Sequence, residues 1–259
     1  MKIGCVYDSF TDSPNGVSIV FFFPKCNLRC PYCYNKSVVL SSSIEDGVTM
    51  EKAIEEIRKC KRKKHNSADY YFSREWMILT GGECTFYKKE VNDLINASKS
   101  IGQKTGIYSN GVSNYSQEVI VDLLKENKLD FLNIDYKVPV NTDNKEFSIY
   151  NLKFLNFVKF LIDYKKHNPN FILRFSTIAV KQFMVYENYF EKIASELQEC
   201  GFDNIENLEW KITAYHCDDY SNLMNETFTT RNSYINKTDI HNYFKNITNT
   251  FRGTIKIYE

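Results

Sequence analysis

The 259-residue chain has no apolar run approaching the length that crosses a bilayer, about 20 residues. Its start, Met1 to Asp8, lacks the basic-then-apolar layout of a secretory leader. It has no surplus of charge, with 33 Lys and Arg against 32 Asp and Glu, so no global field points to nucleic acid or an anionic membrane. It also lacks the paired cysteines of a disulfide scaffold: of eight cysteines three fall within eight positions, while Cys5, Cys60, Cys84, Cys200 and Cys217 are scattered. That distribution fits a reduced compartment with one ligand cluster, and the cytoplasm is the expected location. No internal repeat, low-complexity tract or linker divides the chain. A single domain over 1–259 is expected, with a core of about 17–216 and an extension over 217–259.

Short β-rich runs alternate with longer helical stretches. Strands are expected at Val17 to Phe23, Trp76 to Thr80, Thr105 to Ser109, Phe131 to Tyr136, Phe171 to Val180 and Ile205 to Tyr215, with a last one near Gly253 to Tyr258. Helices are expected at Thr49 to Lys64, Val91 to Ile101, Gln117 to Lys125, Tyr150 to Lys166, Tyr186 to Cys200 and near Thr238 to Asn249. Six β-then-α units in series predict an α/β fold, a partial (β/α)6 TIM-like barrel of parallel strands with outer helices. Sites in such folds lie at the carboxyl ends of the strands.

The first strand runs into Cys26-Asn27-Leu28-Arg29-Cys30-Pro31-Tyr32-Cys33. The spacing is Cys-x3-Cys-x2-Cys on one loop, and neighbouring thiolates suit a soft metal centre. Three ligands leave one iron of a 4Fe–4S cubane without a protein donor, open to a substrate atom. A zinc knuckle would need a second Cys or His pair at ligand spacing, which the chain does not offer.

Cys-x3-Cys-x2-Cys with an aromatic residue before the last cysteine resembles the signature of the radical S-adenosylmethionine enzymes. Thr80-Gly81-Gly82-Glu83, closing the second strand, resembles that family's Gly-Gly-Glu element, which binds the amino group of the cosubstrate's methionine moiety. Paired glycines let a backbone come close to a ligand, and a carboxylate can pair an ammonium. The resemblance narrows to the glycyl-radical-enzyme activases. Asp12-Ser13-Pro14-Asn15-Gly16 resembles their leader, Ser109-Asn110-Gly111 their Thr-Asn-Gly, and Asp135-Tyr136-Lys137 their Asp-x-Lys. Arg174 and Tyr215-His216 match further family positions. Three departures stand out: Tyr108 where the activases carry Asp, which bears on a monovalent-cation site, Cys84 where Pro commonly follows, and Ser176-Thr177-Ile178-Ala179-Val180 without the usual Pro-Gly turn.

The resemblance implies a 4Fe–4S cluster on Cys26, Cys30 and Cys33, the catalytic and metal-binding set. It implies S-adenosyl-L-methionine contacts from Tyr32, Gly81, Gly82, Glu83, Ser109, Asn110, Asp135, Lys137, Arg174 and His216. Several have a plainer reading, and Tyr32 could be a solvent-facing aromatic. Asp135 and Lys137 share one strand face and could be a structural ion pair. Arg174 could be a core-edge salt bridge, His216 a surface histidine, and Cys84 a small apolar filler or a radical relay. The basic run Arg58 to His65 reads as a solvated helix terminus. The expected activity is reductive cleavage of S-adenosylmethionine and hydrogen abstraction from a glycine of a large glycyl radical enzyme. Flavodoxin or ferredoxin would be the electron donor, and neither nucleic acid nor membrane would be a partner. The alternatives are the same chemistry on a small molecule or peptide, and a non-catalytic iron–sulfur or zinc module.

Overall fold

The structure is a computed structural model and describes residues 1–59, 74–140, 152–184, 188–203, 205–217, 220–229, 233–248 and 251–258. Cys60 and the basic run beyond Lys59 lie outside these residues, as do the expected helix ends at Lys64, Tyr150, Tyr186 and Asn249. The chain forms two compact units, one of Met1–Asn27, Ser37–Ser109 and Ser113–Leu132, the other of Leu28–Lys36, Asn110–Val112 and Asn133–Glu259.

In the first unit the strands lie in the order β3-β1-β2-β4-β5. Strand β2 (Val17–Phe23) is buried almost throughout, as befits a strand covered on both faces. It pairs in parallel with β4 (Arg74–Gly81), which pairs in parallel with β5 (Lys104–Ser109). Two strands were not expected. β1 (Lys2–Ser9) runs antiparallel to β2, and the two-residue β3 (Val48–Thr49) lies antiparallel to β1. A register shift between Gly4 and Val6 breaks the period-two alternation of β1, and β3 is too short to carry a pattern.

A short helix α1 (Lys36–Leu40) follows the cysteine loop, and helices α2 (Met50–Lys59), α3 (Lys88–Ser100) and α4 (Asn114–Lys125) belong to the first unit. Each of the last three buries one apolar stripe: Ala53 and Ile57; Val91, Leu94 and Ile95; Val119, Ile120, Leu123 and Leu124. Helix α4 starts three residues ahead of the expected Gln117 because the Ser113 hydroxyl caps it, accepting from the Ser116 amide at 3.0 Å. The Phe131 ring meets Trp76 and Tyr108 edge-on, at centroid distances of 6.3 and 5.7 Å. The same two rings hold the leader, Trp76 Nε1 donating to Asn15 Oδ1 at 3.1 Å and the Tyr108 hydroxyl to the Asp12 carbonyl at 2.8 Å. Tyr108, standing where the activases have Asp, is thus a strut for the leader.

Strand β6 (Phe131–Asp135) starts in the first unit and ends in the second, where β6, β7 (Ile172–Ala179), β8 (Leu208–Ala214) and β9 (Thr254–Tyr258) follow in that order. The β7–β8 and β8–β9 pairings are parallel. Helices α5 (Leu152–His167), α6 (Lys181–Met184), α7 (Tyr189–Glu199) and α8 (Lys237–Thr248) alternate with these strands. Trp210 on β8 packs against Phe190, Phe244 and Phe251. Its indole N–H donates to Thr177 Oγ1 at 2.9 Å, so the buried ring keeps its polar atom satisfied. No described helix is long and apolar enough to cross a membrane.

Gly81, the last residue of β4, has φ of +113°. A Cβ there would lie 2.4 Å from both the nitrogen and the oxygen of Phe23. Gly81→Ala combines a forbidden backbone region with a clash against backbone, so it should destabilise the protein by roughly 3 kcal/mol or more. Chemical denaturation monitored by circular dichroism checks this; a loss under about 1 kcal/mol would contradict it.

Candidate active site

The segment after β4 is locked to the chain leaving β2. Gly82 N donates to the Phe23 carbonyl at 2.8 Å and Glu83 N to the Lys25 carbonyl at 2.7 Å. A Cβ at Gly82 would sit 2.0 Å from that Lys25 oxygen, so the close approach expected of the paired glycines is made here with the protein's own backbone. Lys25 adopts a left-handed conformation, φ +61°, uncommon for a residue with a side chain. Its amide and that of Cys26 donate to the carbonyls of Val38 and Val39 at 2.9 and 3.3 Å. The cysteine loop therefore opens from a fully hydrogen-bonded backbone knot.

Glu83 is completely buried. Its Oε1 accepts from the hydroxyls of Thr85 at 2.7 Å and Ser109 at 2.9 Å, and the Thr85 amide lies 3.4 Å away. The Thr85 hydroxyl continues to Ser116 Oγ at 2.8 Å. Three donors converge on one carboxyl oxygen, the partners a buried polar group requires. Ser109, expected as a cosubstrate contact, orients Glu83. Cys84 is also completely buried, its sulfur directed at the carbonyls of Leu79 and Tyr108, and burial drives its thiol well above the usual value.

In the second unit Cys30-Pro31-Tyr32-Cys33 forms a β-turn closed by Cys33 N to Cys30 O at 3.0 Å. Proline at its second position has the preset φ such turns favour. Burial pushes the Cys30 thiol up to about 11, with Lys137 pulling the other way and Cys33 and Asp135 adding to the rise. Cys33 is raised by burial too, opposed by its hydrogen bond from the Asn35 backbone and by Lys137 and Arg29. Lys137 is thus a cation acting on both thiols. In the first unit Cys26 is partly exposed, its sulfur 3.8 Å from Asn27 Oδ1. Among the described residues no three His, Cys, Asp or Glu side chains stand at metal-binding spacing.

Asp135 and Lys137 do share a face and do pair, Lys137 Nζ donating to Asp135 Oδ2 at 2.9 Å. The other Asp135 oxygen accepts from Asn133 Nδ2 at 3.0 Å and Ser176 Oγ at 2.8 Å. Asn133 and Ser176 were not singled out from the sequence; the signal for Asn133 is its period-two spacing from Asp135, whereas Ser176 depends on the β6–β7 register. Tyr32 is buried and meets the Tyr215 ring edge-on at 6.3 Å. His216 is exposed between buried Tyr215 and Cys217, just past β8. Asn110 is buried and its Oδ1 accepts from Val112 N at 3.1 Å, holding the expected turn.

Arg174 lies third in β7, toward its amino end, and its guanidinium pairs with Glu209 of β8, which Lys256 of β9 also holds at 2.6 Å. The contact shown is the core-edge salt bridge. Burial alone would raise the Glu209 carboxyl, but Lys256 and Arg174 outweigh it and hold it below the usual range.

The pattern of the Radical SAM superfamily matches residues 20–185. The chain belongs to the radical SAM superfamily. Over 217 residues, 80% of each chain, it is 29% identical to a Methanocaldococcus jannaschii protein named a putative glycyl-radical enzyme activating enzyme. Two solved structures share its fold. One is TYW1 with a lysine–pyruvate adduct, with TM-score 0.56 and 15% identity, covering 90% of this chain and 73% of that one. The other is anSMEcpe with bound AdoMet, with TM-score 0.55 and 16% identity, covering 90% and 61%. The parallel α/β fold expected from the strand–helix alternation is thus the one this radical SAM protein has.

The superfamily uses a 4Fe–4S cluster and S-adenosylmethionine. The donor set fits the cluster in kind: three cysteines on one loop, two of them on a proline-fixed turn and under the influence of a lysine. Ligation requires thiolates, so binding would release the protons that burial holds on Cys30 and Cys33. In metal-free protein, alkylation of the three loop cysteines by iodoacetamide should therefore be fastest at partly exposed Cys26 and slowest at Cys30, whose rate should climb roughly tenfold per pH unit toward about 11. Mass spectrometry of the labelled peptides reads the order; Cys30 reacting first at pH 7.5 would contradict it.

Glu209 is held ionised, so its stabilisation is present above the ordinary carboxylate range and is lost as pH falls through its lowered value. Glu209→Gln should cost about 2–4 kcal/mol at neutral pH by removing the negative charge that Arg174 and Lys256 both face. The gap from the parent should close as pH falls through the lowered Glu209 value, where Glu209 itself protonates. Denaturation curves across pH check both limbs.

Proposed function

We propose that this radical SAM enzyme acts on a glycine residue of a partner glycyl radical enzyme, as an activase. What carries the reading is the likeness to a relative so named along four-fifths of both chains, together with the activase-like motifs in the same order along the sequence. Cys26, Cys30 and Cys33 would hold the 4Fe–4S cluster as thiolates. When bound, the cluster and S-adenosylmethionine supply one-electron cleavage of the sulfonium and a 5′-deoxyadenosyl radical that takes a hydrogen atom from the substrate.

This chain's own residues bind and orient. Glu83, fixed by Thr85 and Ser109, would pair the cosubstrate's ammonium, since a prealigned buried carboxylate meets a cation without reorganising. Lys137, fixed by Asp135, would meet its carboxylate. Tyr32 would border the adenine, while His216 and Asn110 would flank the cosubstrate. The electron would come from a flavodoxin or ferredoxin, and the compartment would be the cytoplasm.

Anaerobically reconstituted protein with dithionite and S-adenosylmethionine should release 5′-deoxyadenosine, and Cys30→Ala should abolish both the cluster absorbance and that product. Co-expression with a candidate partner should then yield a glycine-centred radical in electron paramagnetic resonance. Turnover of S-adenosylmethionine without that radical, on a genuine partner, would sink the activase reading and favour a small-molecule or peptide substrate.

A further inference from the structure

The motif reading left every residue after His216 without a role, yet the second unit joins one short piece of that extension to the cysteine turn. Met224 N donates to the Cys33 carbonyl at 2.8 Å and Asn225 N to the Pro31 carbonyl at 3.1 Å. Two consecutive amides thus grip the two carbonyls that flank Tyr32. The gripping segment is itself shaped. Asn225 Oδ1 accepts from the Thr227 amide at 3.0 Å and the Thr227 hydroxyl at 2.8 Å, while Phe228 N returns to the Asn225 carbonyl at 3.0 Å. This is an Asn-nucleated turn, the local geometry Asn favours. Leu223 anchors it, 1% exposed.

The turn is also tied to the end of β8. The Tyr215 hydroxyl donates to the Phe228 carbonyl at 2.7 Å, and the Tyr215 ring lies edge-on against Tyr32. Strand end, extension and cysteine turn form a closed circuit: Tyr215 to Phe228, Asn225 and Met224 to Pro31 and Cys33, Tyr32 back to Tyr215.

We propose that residues 223–228, tethered by Tyr215, are a clamp that positions the Cys30–Cys33 turn for its iron–sulfur cluster. This rests on the reading that Cys30 and Cys33 are ligands. Contacts that hold ligands in place govern how firmly a metal stays bound, and each amide removed leaves a turn carbonyl unpaired and the turn freer to open. Met224 and Asn225 are positioning residues, acting through the backbone of the ligand loop.

The test compares iron release to an anaerobic chelator from reconstituted Met224→Pro, Met224→Ala, Asn225→Ala and Cys30→Ala proteins. Met224→Pro deletes the amide donor, and Met224→Ala keeps it. Met224→Pro and Asn225→Ala should reconstitute with iron but release it about tenfold faster than the parent, the range typical of lost outer-shell contacts. Met224→Ala should stay within about twofold, a rescue that a merely hydrophobic role for the side chain would not give. Cys30→Ala should hold no cluster. A cluster retained by Cys30→Ala would overturn the ligand reading and the clamp with it. Loss of the cluster in Cys30→Ala, with parent-like release from both Met224→Pro and Asn225→Ala, would overturn the clamp alone. Should Met224→Pro fail to fold by circular dichroism, Asn225→Ala against the parent decides.

Discussion

The site begins with a backbone contact that has no room for a side chain. The end of β4 and the exit of β2 are joined by the amides of Gly82 and Glu83 on the carbonyls of Phe23 and Lys25. A methyl group at Gly82 would overlap the Lys25 oxygen at 2.0 Å. Glu83 and the start of the cysteine loop are thereby placed by main chain rather than by flexible side chains. Backbone geometry carries little conformational freedom to lose when a ligand arrives, and that preorganisation is what a site for a charged cosubstrate needs.

Within each unit the polar groups work in pairs and relays. Glu83 is held by two hydroxyls, and Asp135 by an amide and a hydroxyl on one oxygen and Lys137 on the other. Lys137 in turn works against the burial that keeps Cys30 and Cys33 protonated. One lysine so links a carboxylate relay to two candidate metal ligands, an arrangement in which thiolate formation and anion binding draw on one positive charge. Glu209, between Arg174 and Lys256, is the counterexample: a paired carboxylate near the amino end of β8, where it serves stability.

Strands were legible where composition alone marks them. Val17 to Phe23 is the same in expectation and structure because seven residues, nearly all apolar and β-branched or aromatic, end at a proline. Strand β1 escaped because its bulge near Cys5 spoils alternation. The cysteine spacing and Gly-Gly-Glu were legible as motifs, and the comparisons place the chain in the family those motifs suggested. The partners were not legible: Ser109 orienting Glu83, Ser176 on Asp135, Glu209 on Arg174 and Met224 on Cys33 all depend on register between distant segments. Spacing along one chain shows which side chains share a face, and only the fold shows what they face.

The central claim is a 4Fe–4S centre with three cysteine ligands and one iron open to the cosubstrate. Its most direct test is electron paramagnetic resonance of the reduced protein before and after S-adenosylmethionine is added. A shift in the cluster's g-values on addition is expected, because a cluster held by Cys26, Cys30 and Cys33 alone would leave one iron for the cosubstrate. A spectrum indifferent to the cosubstrate, or a centre containing zinc in place of iron, would contradict it.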